Sequence, residues 1–474
     1  MTTKLSAGWI CVIGGIIAVF MAIMDIQITN VAIGDIQSAM QSSLGRGSWI
    51  SSSYLIAEVI CLPLTGLLLQ FLGLKRYAVV FLFLFLLGSI LCAQASSFPF
   101  LVAARSLQGF AGGALMAFSY VLIIQKLPND SKGLAITVFG AILAFAPVAG
   151  PILAGYLTEY FSWRALFYIN IPIGILALTM ILSGLSADKP VEPAAPKQRV
   201  QVHYLGIITV IIGLGCLQFV LEEGHTFNWF QSAIILWAII AAIVLLPTFV
   251  WLELHSGNPL INFSVLQNPQ FLLAAVSNIF VGAAMYGGFF LIPFYLVEIL
   301  DYRPIQISQF FIWISLGHLL ILPVITHLTR RYNHILLISA GFVLFALTTG
   351  FWAYIASSFI LTVAVIAQIL RGLASPLILN PLGVMATSSV PEDQAASASI
   401  LFNIFRSLGG AFGLAILRNI VLSLKPDTVL ESVEYTTQNA AAFGTVFAAM
   451  SAFLAFMACV YLGLYLRQKW RIFA

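Results

Sequence analysis

The chain has 474 residues, of which 61% are hydrophobic and only 8% charged, and its mean hydropathy is +1.03. Soluble proteins carry about 25% charged residues, so this composition excludes an ordinary soluble domain and makes the bilayer the solvent. The net charge of +4, from 21 Lys plus Arg against 17 Asp plus Glu, supplies no basic arm or stripe for nucleic acid.

A helix needs roughly 20 apolar residues to cross a hydrocarbon core of about 30 Å. In chain order the runs that meet this are 8–29, 48–70, 78–96, 100–125, 133–157, 165–186, 204–222, 232–253, 271–299, 305–328, 335–355, 358–386, 395–421 and 440–467. They are continuous and rich in Leu, Ile, Phe and Gly, unlike the short alternating segments of a membrane β-barrel. An all-α polytopic membrane protein with 14 transmembrane helices is predicted. The first run is longer than a signal-peptide core and has no small-residue cleavage site after it, so it is expected to stay as a helix. The five cysteines sit in apolar runs without metal-ligand spacing and read as small buried hydrophobes.

One segment, 188–203, carries Pro190, Pro193 and Pro196 among mixed charges and reads as an extended linker. It separates two weak repeats. Arg105 to Gly109 aligns with Gln368 to Gly372, Pro128 with Pro391, Asp130 with Asp393 and Gly150 with Gly413, all at one constant offset. Residues 1–187 form a six-helix N-terminal half, 204–261 two inserted helices, and 262–474 a six-helix C-terminal half. Such repeats build transporters that place substrate at the interface between halves. Most Lys and Arg residues, among them Lys4, Lys75, Arg76, Lys126, Lys132, Arg330 and Arg331, fall on one side, which the positive-inside rule makes cytoplasmic together with both termini. Arg46, Arg164, Arg303, Arg418 and Lys425 are expected on the other side.

The membrane charges are the functional candidates. Asp25, with Thr29 one turn on, and Glu58, deeper in the second run, are costly unless each faces a cavity, finds a partner or binds a proton. Desolvation penalises the charged form of Glu58, a property that suits a proton carrier; the alternative is a protonated Glu that only bonds a neighbouring helix. Arg105 shares a helical face with Gln108 and cannot shed its proton, so it needs an acidic or backbone partner. Asp25 matches it in depth. Gly140, Pro147, Gly150, Pro151 and Gly155 place a bend and close helix contacts inside the fifth run, read either as a hinge or as ordinary packing. Gly66, Gly73, Lys75 and Arg76 form a tight basic turn. Arg371 and Arg406 lie inside late runs with no acidic partner evident. Glu222, Glu223, Glu253 and Glu298 stand near run ends and are expected at the interface, and His318 as a satisfied core histidine.

These residues resemble the major facilitator superfamily, and within it the fourteen-span drug:proton antiporters of the EmrB/QacA kind. The resemblance rests on Asp25 with Thr29 to Ala32, Trp49 with Pro63 to Gly66, Arg105 with Gln108 and Gly109, Ala146 to Pro151 with Gly155, and Trp163 through Asn170 and Pro172 to Gly174. It implies a major facilitator fold arranged as 6+2+6, a role for Arg105 in proton transfer, an antiporter segment at Gly150 and Pro151, and a cytoplasmic latch from Gly66 to Arg76. Gln70 stands where many members carry Asp, which weakens a charged latch. The implied activity is efflux of amphipathic small molecules across the bacterial inner membrane, driven by the proton gradient with no cofactor. A periplasmic adaptor and an outer-membrane channel are partners of some relatives, though the loop 423–439 is short for docking them. The rival in the same fold carries a specific organic solute such as a siderophore, with Arg371 and Arg406 as anion contacts. An intramembrane enzyme or receptor is the remote alternative, disfavoured because no His-Glu-x-x-His motif, phosphate loop or soluble domain occurs.

Overall fold

The computed structural model describes residues 7–42, 46–186, 204–256, 261, 263–357, 359–391, 394–424 and 432–473. The linker predicted at 188–203 lies outside the described residues. The described chain is helical: α1 Ala7–Val31, α2 Ile33–Ala39, α3 Ser48–Ala93, α4 Phe98–Lys126, α5 Asn129–Tyr160, α6 Ala165–Tyr168, α7 Asn170–Ser186, α8 Tyr204–Glu223, α9 Ala233–Leu254, α10 Pro269–Leu300, α11 Pro304–Arg331, α12 His334–Ser357, α13 Leu361–Ser388, α14 Ala395–Leu424 and α15 Ser432–Phe473. Among the described residues twelve helices are long and apolar enough to cross a membrane. In lipid no water can satisfy a free backbone group, so helices that close their own hydrogen bonds are the natural solution for such runs.

Helix α3 is two helices joined at Gly73, whose φ of +69° is a conformation L side chains rarely adopt. Lys75 and Arg76 follow it on the exposed surface.

Helices α1 to α7 pack as one bundle and α10 to α15 as another, while α8 and α9 form a hairpin outside both. Without a hydrophobic driving force between helices in lipid, close approach through small residues carries the packing. A Cβ on Gly109 would stand 2.2 Å from the Tyr54 carbonyl oxygen, and one on Gly113 2.7 Å from that of Glu58, so α4 lies backbone-to-backbone on α3. The same contact recurs in the second bundle, where a Cβ on Gly372 of α13 would come 2.2 Å from the Ile314 carbonyl of α11. Gly109 and Gly372 are aligned by the sequence repeat, so its register is visible in the packing.

The two bundles close on each other along one rim and part along the other. At the closed rim a Cβ on Gly155 of α5 would stand 2.3 Å from the Ser308 side chain of α11, and Arg303 pairs with Glu159 at 3.3 Å. At the opposite rim Gly66 has no heavy atom within 4 Å of where a Cβ would sit, and Asn380 is exposed.

Two sequence expectations are corrected here. Arg418, counted among the charges of the outer side, is buried within α14, its side chain only 2% exposed. Glu222 and Glu223 are buried rather than interfacial, because α8 presses its end against both bundles.

The glycine seam gives a stability prediction. Gly109→Ala should destabilise the fold by about 1–3 kcal/mol, the usual cost of forcing an extra methyl into a packed contact. Gly66→Ala meets nothing and should leave the thermal midpoint in detergent unchanged. Equal midpoints for the two variants would contradict the packing described.

Candidate functional site

Asp25 is fully enclosed between α1, α4 and α7. Arg105 Nη1 donates to Asp25 Oδ2 and, at 2.7 Å, to Gln108 Oε1. Its Nε donates to the Ile50 carbonyl at 3.0 Å and its Nη2 to the Asp25 carbonyl at 3.3 Å. The guanidinium also lies over the Tyr54 ring, 4.7 Å from its centroid. Asn170, at the start of α7, donates to Asp25 Oδ1 at 2.6 Å, and Gln108 Nε2 donates to Ser89 Oγ at 2.8 Å. A lone carboxylate or guanidinium at this depth would carry the full cost of desolvation. Here each charge meets the other and several polar neighbours, which leaves the pair neutral overall. Gly150 brings α5 onto this site, since a Cβ there would stand 2.5 Å from the Met24 carbonyl oxygen.

Glu58 occupies a different place. It lines a cavity of about 210 Å³ between the bundles, with Gln27, His318, Asn380, Asn403 and Arg406 as the other polar or charged groups. The remaining wall is apolar and aromatic, including Met116, Met285, Tyr286, Phe289 and Phe402. Ser407 of α14 donates to Glu58 Oε1 at 2.9 Å, Arg406 acts on the same carboxyl electrostatically, and Oε2 has no hydrogen-bond partner among the described residues. A second cavity of about 170 Å³, sharing Met116 and Asn403, leads on to Leu62, Gly66 and Leu69 at the open rim. The acid thus sits at the head of a path toward one side of the protein.

The structure brings together Asp25, Arg105 and Gln108, and separately Glu58 and Arg406. Arg371 joins neither group: its Nη2 donates to the Ala284 carbonyl at 3.0 Å, its guanidinium lies 5.0 Å from the Phe345 centroid, and Gly288 makes room for it. Gly155 and Pro151 are buried toward the closed rim. Gly140 and Pro147 fall inside α5, but their surroundings lie outside the described residues. His318 has contacts at both ring nitrogens, to the Ile314 carbonyl at 3.1 Å and Ser375 Oγ at 3.2 Å. Sequence reasoning passed over Asn170 and Ser89 as site members. The signal for Asn170 was its place in the Asn-Ile-Pro string, whereas nothing local distinguishes Ser89 from other membrane serines.

The model of the Major Facilitator Superfamily matches residues 15–414. The chain belongs to this superfamily, whose members are transporters rather than enzymes. It is 29% identical over 406 residues to the multidrug export protein EmrB of Haemophilus influenzae, covering 84% of this chain and 78% of that one. It is 29% identical over 413 residues to the probable multidrug resistance protein EmrY of Escherichia coli, covering 86% and 79%, and 28% identical over 408 residues to the fatty acid resistance protein FarB of Neisseria gonorrhoeae, covering 85% and 79%. In fold it is similar to a POT family transporter crystallised with a thioalcohol-conjugated peptide, with a TM-score of 0.69 at 13% identity over 95% of this chain and 96% of the other.

The buried pair yields a prediction. Arg105→Ala leaves Asp25 without its cation and with Asn170 as its remaining side-chain partner, and breaking one side of a buried pair costs about 3–5 kcal/mol. Transport by the purified, monodisperse variant should be lost more completely than substrate binding. Arg105→Lys keeps the charge but cannot reach Asp25, Gln108 and the Ile50 carbonyl together, so it should recover only part of the flux. Wild-type flux in Arg105→Ala would show the pair to be dispensable.

Proposed function

We propose that this protein is a proton-coupled exporter of amphipathic small molecules, of the multidrug efflux type, acting by alternating access. The observation that carries the proposal is the single acid, Glu58, in a mostly apolar and aromatic cavity between the two bundles. Such a wall accepts varied apolar bodies, and one carboxyl can hold either a proton or a cationic group but not both, which couples the two. The names of the relatives in Haemophilus influenzae and Escherichia coli support the same substrate class. In this reading Asp25 with Arg105 and Gln108 is the coupling core, and Gly150, Pro151 and Gly155 form the seam along which α5 moves.

The proposed arrangement counts fourteen spans: the twelve apolar helices, with α3 crossing twice around Gly73, and α5 in addition. They divide as a six-helix half at 1–187, the inserted α8 and α9 within 204–261, and a six-helix half at 262–474. The basic turn at Lys75 and Arg76 sets the open rim on the cytoplasmic side of a bacterial inner membrane, with both termini inside. A periplasmic adaptor and outer-membrane channel would then dock at the closed, outer rim. Carriage of a specific anionic solute such as a siderophore is the second reading, favoured by Arg406 in the cavity wall.

Purified protein in proteoliposomes with an imposed proton gradient tests the proposal. An amphipathic cation should move against its own gradient only while the proton gradient lasts. Glu58→Gln should uncouple cation movement from the proton gradient, while Asp25→Asn, which leaves Arg105 without its buried partner, should stop transport of every cation. Proton-driven uptake of an anion in place of cations would favour the second reading. Normal coupling in the Asp25→Asn, Glu58→Gln double variant would end the first. Reporter fusions at Ala195 and Phe227 should read cytoplasmic and external respectively; a cytoplasmic Phe227 would remove the inserted pair from the layout.

A further inference from the structure

The end of α8 carries a polar cluster that the coupling core does not use. Glu222 is fully buried and accepts from Ser48 Oγ at 2.5 Å and Ser52 Oγ at 2.6 Å, both on α3 of the first bundle. Gln218 Nε2 adds a bond at 3.1 Å from within α8. On its other side the carboxylate lies 3.6 Å from Arg418 Nη1 on α14 of the second bundle. The same Nη1 donates to the Glu222 carbonyl, and Asn419 Nδ2 donates to the Leu221 carbonyl. Glu223 accepts from Trp49 Nε1 at 2.9 Å and from Arg46 at 3.4 Å.

One helix end thus ties two bundles that otherwise meet directly. The tie sits at the rim where Gly155 packs on Ser308, because α3 begins and α14 ends there. Any motion that separates α3 from α14 at this rim must break one side of the Glu222 contacts. The two sides are unequal. Toward α14 there is an ion pair between buried groups plus two bonds to main-chain carbonyls that the helix end leaves free. Toward α3 the Glu222 carboxylate has two serine hydroxyls and Glu223 has the Trp49 indole and the partly exposed Arg46, so this side holds no pair between two buried charges and water can replace its contacts once the rim opens.

We propose that Glu222 is an interbundle clamp that holds the outer rim closed, and that α8 stays with α14 and releases Ser48 and Ser52 when the rim opens. This rests on the alternating-access reading above. The inserted pair is then a gate element, and its acid sets the balance between the two access states without touching substrate.

Ser308→Cys supplies the reporter, since Ser308 is buried beneath Gly155 and the change adds little volume. Cells carrying the full chain are treated with a membrane-impermeant maleimide, and labelling is compared with the parent chain to subtract the native cysteines. With the clamp intact Cys at 308 should label slowly. The Ser48→Ala, Ser52→Ala double variant keeps the ion pair and cuts the two Glu222 bonds to α3, leaving the Glu223 bond from Trp49 in place. It should raise the labelling rate on the order of tenfold, within the usual range of coupling between states. Glu222→Gln should raise it in the same direction. If Glu222→Gln fails to fold, leaving Arg418 buried and unpaired, the serine variant decides alone. An unchanged rate in a folded serine variant overturns the clamp. Proton-driven flux is measured on the same variants in proteoliposomes: absence of flux in the wild type would defeat the transport reading, whereas a changed or unchanged labelling rate bears on the clamp independently.

Discussion

The rest of this molecule depends on the cost of leaving a charge unpaired where no water can reach it. In a chain with so few charges, each one held inside must be matched, and the matching dictates which helices touch. Asp25 and Arg105 fasten α1 to α4, and Asn170 draws the start of α7 to the same point. The serines, amides and main-chain carbonyls around them are not decoration: they satisfy the lone pairs and protons that the ion pair leaves over. Removal of any one of them exposes the others to the same penalty.

Three polar assemblies lie at different levels between or within the bundles, and they differ in how completely they are satisfied. In the Asp25 and Arg105 assembly both carboxylate oxygens are partnered. The Glu222 and Arg418 assembly partners both carboxylate oxygens but spans three bodies, so its integrity depends on their relative position. Glu58 is incomplete, with one oxygen unpartnered among the described residues and the cavity before it. Of the three carboxylates, the one that meets the cavity is the one with an oxygen left unpartnered among the described residues.

Much of this was legible in the sequence. Long apolar runs separated by short polar turns define the helices because the bilayer demands a minimum length, and depth along a run was enough to match Asp25 with Arg105. Glu58 stood out for the same reason. Arg418 and Glu222 were misplaced because both lie near run ends, where a charge ordinarily reaches water, and because their partners are 196 residues apart in the chain. No local pattern announces that one helix end will be pressed between two bundles. Ser89 and Ser48 were invisible for a simpler reason: a hydroxyl is cheap in a membrane helix, where it can bond its own preceding turn, so its presence carries no information until the neighbour is known.

The glycines of α4 have a consequence for how such a protein changes over generations. Gly109 and Gly113 set α4 directly on the main chain of α3 at Tyr54 and Glu58, so the backbone of the acid is located by main-chain contact and its carboxyl by Ser407, not by the apolar wall. Met116, Met285, Phe289 and Phe402 can therefore be exchanged for other apolar residues without displacing the carboxyl they face. A lineage built this way can drift through repertoires of cargo while its acid stays in one position. On the proposed function, chemical tolerance and a fixed energetic link would be properties of separate parts of the wall.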